Sequence, residues 1–312
     1  MKKAKLSLFF LKLKAFIYIF IIQILIWNYI KKELKIAICV IAKQENKYII
    51  EFINYYQKIG FEKIILYDNN NINGEIFDDL LKKYIRKNFV EIINFRGIYK
   101  PQRAAYMHCY NNNKNIFDWI AFYDVDEFLY LINYNNIKNF LSSDIFKNCS
   151  SILINWKYYG DNNHLFYDSK PIMERFKIPF EFPKNYKDLI LKCAPKSIIR
   201  GGLNITWAHF PHFLKSQSIC RPNGEIIHDP FSSPQYSIAY IKHYATKSTE
   251  EYADRLIKGT VNSKSIFNDE FIIKRLKIYY FLFKKITKKK IELLEEKLGI
   301  KLKKYFYNIT NI

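Results

Sequence analysis

Glycine and proline are scarce in this 312-residue chain, nine of each, which excludes a collagen-like or low-complexity polymer. Cysteine is scarce too. Cys39, Cys109, Cys149, Cys193 and Cys220 are widely spaced and odd in number. No Cys-x-x-Cys pair occurs, so neither a zinc site nor a dense disulfide framework is expected, and a reducing compartment fits best. Cys39 and Cys109 sit in apolar periodic segments and read as buried thiols. Acids are outnumbered: 29 Asp plus Glu against 50 Lys plus Arg leave a formal charge of +21. The excess favours phosphorylated substrates, acidic headgroups or nucleic acid as partners. Lys, Asn, Ile, Tyr and Phe are all abundant, however, as A/T-rich coding would make them, so charge alone decides nothing. No internal repeat is visible.

What is abundant is core material. Hydrophobic residues make up 49% and aromatics 18%, enough to bury a sizeable interior. The first 14 residues carry five lysines, and Ala15–Ile30 follows as a charge-free stretch of 16 residues broken only by the polar Gln23 and Asn28. As a helix this stretch would reach about 24 Å, short of the ~30 Å hydrocarbon core. No small-residue cleavage site follows it, which argues against a removed signal peptide. It reads as a short signal-anchor or as a helix lying in the interface. The expectation is membrane association, with the following domain held on the cytoplasmic face.

Downstream, strand and helix patterns alternate. The run 35–42 (KIAICVIA) is apolar and β-branched, the pattern of a buried parallel strand. Ile49, Phe52, Ile53 and Tyr56 have helical spacing, with Gly60 as a stop. Strands are expected at 62–67, 89–95, 118–123 and 151–156, and helices at 75–84 and 102–110. After Gly160 the pattern becomes loop-rich. Residues 248–258 return to helix, with Ser248 and Glu251 as a capping box, and a basic helical tail begins near Phe271. Four alternations imply βαβ units, a mostly parallel sheet and an α/β class. Ligands of such sheets bind outside the carboxyl ends of the strands, where both Asp68 and Asp124 fall. The expected organisation is a hydrophobic segment (1–33), a catalytic domain (34–262) and a basic helical extension (263–312).

Asp124-Val125-Asp126 is the sharpest motif. On an extended strand, carboxylates two residues apart face the same way. Hard cations such as Mg²⁺ and Mn²⁺ take such oxygens and share them with substrate phosphates. A departing nucleoside diphosphate needs that neutralisation.

Seven segments in order, AKQEN (42–46), YDNN (67–70), QRAAYMHCY (102–110), WIAFYDVDEFL (119–129), NWKYYG (155–160), ERFKIP (174–179) and IKHYATKSTEEY (241–252), resemble the GT-A glycosyltransferases around family 92 and their family 2-like bacterial relatives. The resemblance implies a Rossmann-like sheet flanked by helices and a metal-dependent transfer from a nucleotide-sugar donor. It implies that Asp68 contacts the nucleoside, that Asp124 lies near ribose and metal, and that Asp126 and His243 ligate Mn²⁺ or Mg²⁺. Lys247 would hold a phosphate oxygen, and Gln102 and Arg103 would line the donor pocket. Lys43 and Glu45 are the nearest equivalents of a commoner Lys-Asn-Glu form. YDNN continues as Asn71-Ile72-Asn73 where the family often has Ser-x-Asp, and the Gln-x-x-Arg-Trp pattern of processive synthases is absent, which points to transfer of a single sugar.

An inverting enzyme needs a carboxylate base, and Glu127, Asp161 and Glu174 are candidates. His209 and His212 could bind metal or acceptor, and Trp156 and Tyr158 could stack on a sugar. The expected acceptor is a glycan or glycolipid at a membrane surface. A nucleotidyltransferase would usually carry a glycine-rich phosphate loop, and Ala42–Lys47 has no glycine. A basic nucleic-acid-binding module is the non-enzymatic competitor, but no motif for it appears and nucleic acid is not an expected partner.

Overall fold

Seven consecutive buried residues, Ile36–Ala42, form the first strand, and the sheet is assembled around it. The structure is a computed structural model that describes residues 13–23, 33–180, 194–207, 213–215, 217–231, 234–259, 272, 275–276 and 287–302. The chain divides into two units, Met1–Leu34 and Lys35–Ile312. In the first, residues 13–23 are helical and their large apolar side chains, from Leu13 to Ile22, are exposed. Among the described residues no helix is long and apolar enough to cross a membrane. Residues 24–30 of the expected apolar stretch lie outside them.

In the second unit the expected alternation is present: β1 (Ile36–Ala42), α1 (Ile49–Lys58), β2 (Lys63–Asp68), α2 (Asp78–Arg86), β3 (Val90–Asn94), α3 (Gln102–Asn113) and β4 (Trp119–Phe122). Then come β5 (Glu127–Leu131), α4 (Ile137–Leu141), β6 (Ser151–Tyr158), α5 (Ile172–Arg175), β7 (Pro195–Arg200), β8 (Ile219–Cys220), β9 (Ile226–Ile227), β10 (Ala239–His243), α6 (Thr249–Lys258) and α7 (Lys288–Leu298). The sheet order is β3-β2-β1-β4-β7-β6-β10-β5, with β8 and β9 attached beyond β6. The first four strands are parallel. Chain order turns back between β1 and β4, which makes their carboxyl ends the natural binding crevice.

The other half is mixed. β7 runs antiparallel between β4 and β6, and β5 runs antiparallel to β10. Pro195 takes the first position of its strand, where a missing N–H is tolerated. Gly201, just after it, has no room for a side chain: a Cβ would lie 2.0 Å from the Phe117 carbonyl oxygen.

Aromatic rings fill both faces. Tyr56, Phe128 and Tyr123 stack beneath α1, and Tyr106, Phe122 and Trp207 pack beside α3. The capping box of α6 is formed, with the Ser248 side chain accepting from Glu251 N and the Glu251 carboxylate accepting from Ser248 N. Helix α7 buries Ile291 and Leu294 in one cluster with Tyr252, Ala253 and Leu256 of α6. Lys290, from the basic tail, is buried rather than solvated.

Cys149 and Cys220 are disulfide-bonded, tying the start of β6 to β8. The sequence reading, for which a reducing compartment fitted best, did not anticipate this bond. Cys39 and Cys109 are free buried thiols, as read from the sequence.

Candidate active site

A cleft of about 450 Å³ opens at the carboxyl ends of β1 and β4. From the first come Ile41, Lys43, Glu45, Lys47 and Tyr48, and from the second Asp124, Val125 and Asp126. The amino end of α3 supplies Gln102, and α6 with its flanks supplies Lys247, Glu251, Asp254, Arg255 and Lys258.

The acidic motif is a turn, not a strand. Glu127 N donates to Asp124 O at 3.1 Å, and β5 begins at Glu127. Alternation along a strand therefore does not align Asp124 with Asp126, and their carboxylates diverge. Asp124 Oδ2 accepts from Lys196 Nζ at 2.7 Å, and the same ammonium lies 3.2 Å from Glu127 Oε2. Asp126 Oδ2 accepts from Arg255 at 2.6 Å, while its Oδ1 lies 3.8 Å from His243 Nε2. Glu127 Oε1 lies 4.0 Å from the same nitrogen.

Strand register explains this meeting. His243 sits directly opposite Glu127 in the β10–β5 pair, and opposed residues of an antiparallel pair share a face. Tyr244 N donates to Asp126 O at 2.9 Å, which fixes the turn against the end of β10. Trp156 and Tyr158, considered above as sugar platforms, instead pack against the His243 ring at 4.3 and 5.0 Å between centroids.

Asp126, Glu127 and His243 form a cation-sized group, each offering one ligand atom within 4.8 Å of the others. It is the one such grouping among the described residues, and its chemistry fits a divalent cation. Glu127 Oε1 is buried with no hydrogen-bond partner, a costly state for a carboxylate. Burial pushes the His243 imidazole down to about 3, against the opposing pull of Asp126. It is therefore neutral at pH 7, as a ligand must be. Burial would raise the Asp126 carboxyl, but Arg255, His243, Lys247 and Lys196 hold it far below the carboxylate range. Burial pushes the Glu127 carboxyl up, with Lys196 opposing. Burial would discharge Lys196, yet Asp124 and Glu127 outweigh it and keep the ammonium protonated.

Placement of the other expected residues is mixed. Lys43, Glu45, Gln102 and Lys247 line the cleft. Glu45 is paired with Lys258, and the Lys247 ammonium lies 4.4 Å from the Tyr48 ring centroid. Asp68 does not line the cleft. Its Oδ2 accepts from Arg96 at 2.7 Å and its Oδ1 from Asn70 N at 2.9 Å, so it braces the loop after β2. Arg103 is exposed on α3, away from the lining. Asp161, expected as a base, is buried in an ion pair with Lys290 at 2.5 Å, so its carboxylate faces α7 rather than the cleft. Glu174 lines a separate cavity of about 570 Å³ that shares Lys47 and Tyr48 with the first. His209 and His212 lie outside the described residues. Lys196 and Arg255 were not anticipated. The available signals were a lysine two residues before the apolar pair Ile198-Ile199 and an arginine four residues past the capping glutamate.

A family model described as glycosyltransferase family 92 matches residues 32–292. A family 92 protein of Ricinus communis is 21% identical over 162 residues, which are 51% of this chain and 29% of that protein. A family 92 protein of Arabidopsis thaliana is 26% identical over 132 residues, 42% of this chain and 22% of that protein. The chain thus spans under a third of the length of these curated relatives. Among solved structures, S. aureus TarS residues 1–349 align over 88% of this chain and 73% of that one, at 12% identity and a TM-score of 0.38. GalNAc-T7, solved with UDP, GalNAc and Mn²⁺, aligns over 41% of this chain and 23% of that one, at 14% identity and a TM-score of 0.31. These scores are too low to carry residue equivalences.

Proposed function

Since the chain belongs to glycosyltransferase family 92, we propose that its cleft takes a nucleotide-sugar and transfers a single sugar, with inversion, to a hydroxyl of a glycan or glycolipid acceptor. The supporting observation is the buried group Asp126, Glu127 and His243, whose Asp126 lines the cleft between the ends of β1 and β4. These three side chains would hold a divalent cation, and the imidazole favours Mn²⁺ over Mg²⁺. Bound there, the cation would supply neutralising charge for the diphosphate leaving group.

The protein's own residues set the rest. Lys196 holds Asp124 and Glu127 in place from below, so the acidic turn is formed before any ligand arrives. The first N–H groups of α6 are already taken, Thr249 N by His164 O, Glu250 N by Leu165 O and Glu251 N by the Ser248 side chain, so at that end Lys247 is the group left to meet a phosphate oxygen. Glu127 is committed to the cation group and Asp161 to Lys290, so a base that takes the acceptor proton must come from another carboxylate facing the cleft. Asp254 is exposed and lines it.

Donor hydrolysis by Asp126→Ala and His243→Ala, with and without Mn²⁺, tests the reading. Each variant should lose roughly 100-fold or more of a Mn²⁺-dependent activity. Full hydrolysis by Asp126→Ala, or a wild-type rate indifferent to chelator, would remove the metal from the proposal.

Membrane association belongs to the same proposal. Phe16, Ile17, Tyr18, Ile19 and Phe20 are all exposed on one short helix, as suits an interfacial segment beside lysines. The protein should co-sediment with vesicles containing phosphatidylserine; equal recovery in the supernatant with and without vesicles would refute this.

A further inference from the structure

Asp126 divides its carboxylate. Oδ1 faces His243 and the candidate cation group, while Oδ2 is held by a guanidinium. That guanidinium, Arg255, uses one nitrogen for both of its hydrogen bonds: Nη1 donates to Asp126 Oδ2 and to Ala245 O, each at 2.6 Å. A guanidinium presents five N–H donors in a planar fork. Nη2 and Nε of Arg255 have no hydrogen-bond partner among the described residues. The side chain is 37% exposed and lines the cleft. Its cationic neighbours are differently placed, since Lys258 is bound to Glu45 and Gln44 O, and Lys247 lies over the Tyr48 ring. Arg255 is therefore a cleft cation whose donors remain available beside the acidic turn.

We propose that Arg255 is a diphosphate-binding residue that shares Asp126 with the divalent cation. This rests on reading the cleft as a nucleotide-sugar site. The free edge of the fork offers two parallel N–H groups to phosphate oxygens, the geometry in which arginine binds such anions most firmly. The Asp126 bond holds that fork at the mouth of the cation group, so the anion is received next to where the metal would sit. The shared carboxylate also couples the two ligands. With the guanidinium present, part of the Asp126 charge is neutralised and the cation is bound less tightly. Without it, the cation gains and the anion loses. One substitution should thus move two affinities in opposite directions.

Calorimetry on the full chain tests this with inorganic pyrophosphate in EDTA, and separately with Mn²⁺ alone. Wild type should bind pyrophosphate without metal. Arg255→Met should bind it about tenfold or more weakly, the effect of losing a charged hydrogen-bonding pair, and Arg255→Lys should fall between. Mn²⁺ alone should bind Arg255→Met more tightly than wild type. Equal pyrophosphate affinity in wild type and Arg255→Met, or no binding to wild type, would overturn the proposal. A parallel loss of both ligands would overturn it too, because damage to the fold predicts that pattern. Failure of Mn²⁺ to bind wild type, with pyrophosphate still weakened in Arg255→Met, would leave Arg255 standing and remove the metal assignment instead.

Discussion

Lys196 is buried between two carboxylates of the acidic turn. Its side chain is 2% accessible, and its ammonium lies 2.7 Å from one carboxylate and 3.2 Å from another. Replacing it by methionine keeps much of the volume and removes the charge, so Asp124 and Glu127 face each other with no cation between them. Breaking a buried pair by deleting one partner costs about 3–5 kcal/mol. In a domain of this size that lowers Tm by roughly 6–20 °C. A metal site should partly repair the damage, because the freed carboxylates then have a cation to bind. Saturating Mn²⁺ at about 100 times its Kd adds about 2.7 kcal/mol to any folded state that binds it, and the gain should be larger for Lys196→Met than for wild type. Urea unfolding in EDTA and in MnCl₂ measures both numbers, with Lys196→Arg as the charge-preserving control. A Lys196→Met protein within about 1 kcal/mol of wild type in EDTA would show that the acidic turn does not depend on this lysine. The account of a preformed site would then fail.

The buried pair Arg175–Glu251 gives a pH prediction. Burial would raise the Glu251 carboxyl, but hydrogen bonds from Arg175 and Ser248 hold it at about 2, below its ordinary 4.5. The folded form binds the proton less readily than the unfolded chain. Stability from this group is thus fully present above pH 4.5 and is lost as pH falls toward 2, about 3 kcal/mol in all. Arg175→Met should cost about 3–5 kcal/mol at pH 7, with the gap to wild type narrowing below pH 4.5 as Glu251 takes up a proton in both proteins. Denaturation curves at pH 7, 5 and 3.5 read this directly, and a pH-independent gap would contradict it.

Much of the first half was legible because its signals are local. The β1 run is apolar throughout, α1 has its buried residues at helical spacing, and Ser248 and Glu251 announce α6 within four residues. From the chain, Asp124, Asp126 and His243 read as metal ligands and Glu127 as a base; the structure groups Asp126 and His243 with Glu127 instead, and pairs Asp124 with Lys196. Illegible features depend on distant partners. Strand β5 starts immediately after a tight turn, so in sequence it looks like the continuation of β4, and only its pairing with β10 reveals it. β7 opens with a proline inside a loop-rich region, and its neighbours come from residues 119–122 and 151–155. Lys196 and Asp161 each find their counter-ion far along the chain, and no local pattern records that. The Cys149–Cys220 bond spans 71 residues, which spacing could not single out from five cysteines.

The pairing of β10 with β5 has a consequence for metal choice. Sliding β10 by one residue would present Lys242 or Tyr244 to Glu127, exchanging a neutral imidazole for an ammonium or a phenol. Neither would serve a soft-tolerant ion such as Mn²⁺ as imidazole does. The hydrogen bonds that Tyr159 N donates to His243 O and Tyr244 N donates to Asp126 O forbid that slide. Which ion the proposed site would recruit is thus written in peptide-backbone alignment as much as in the identity of its acids.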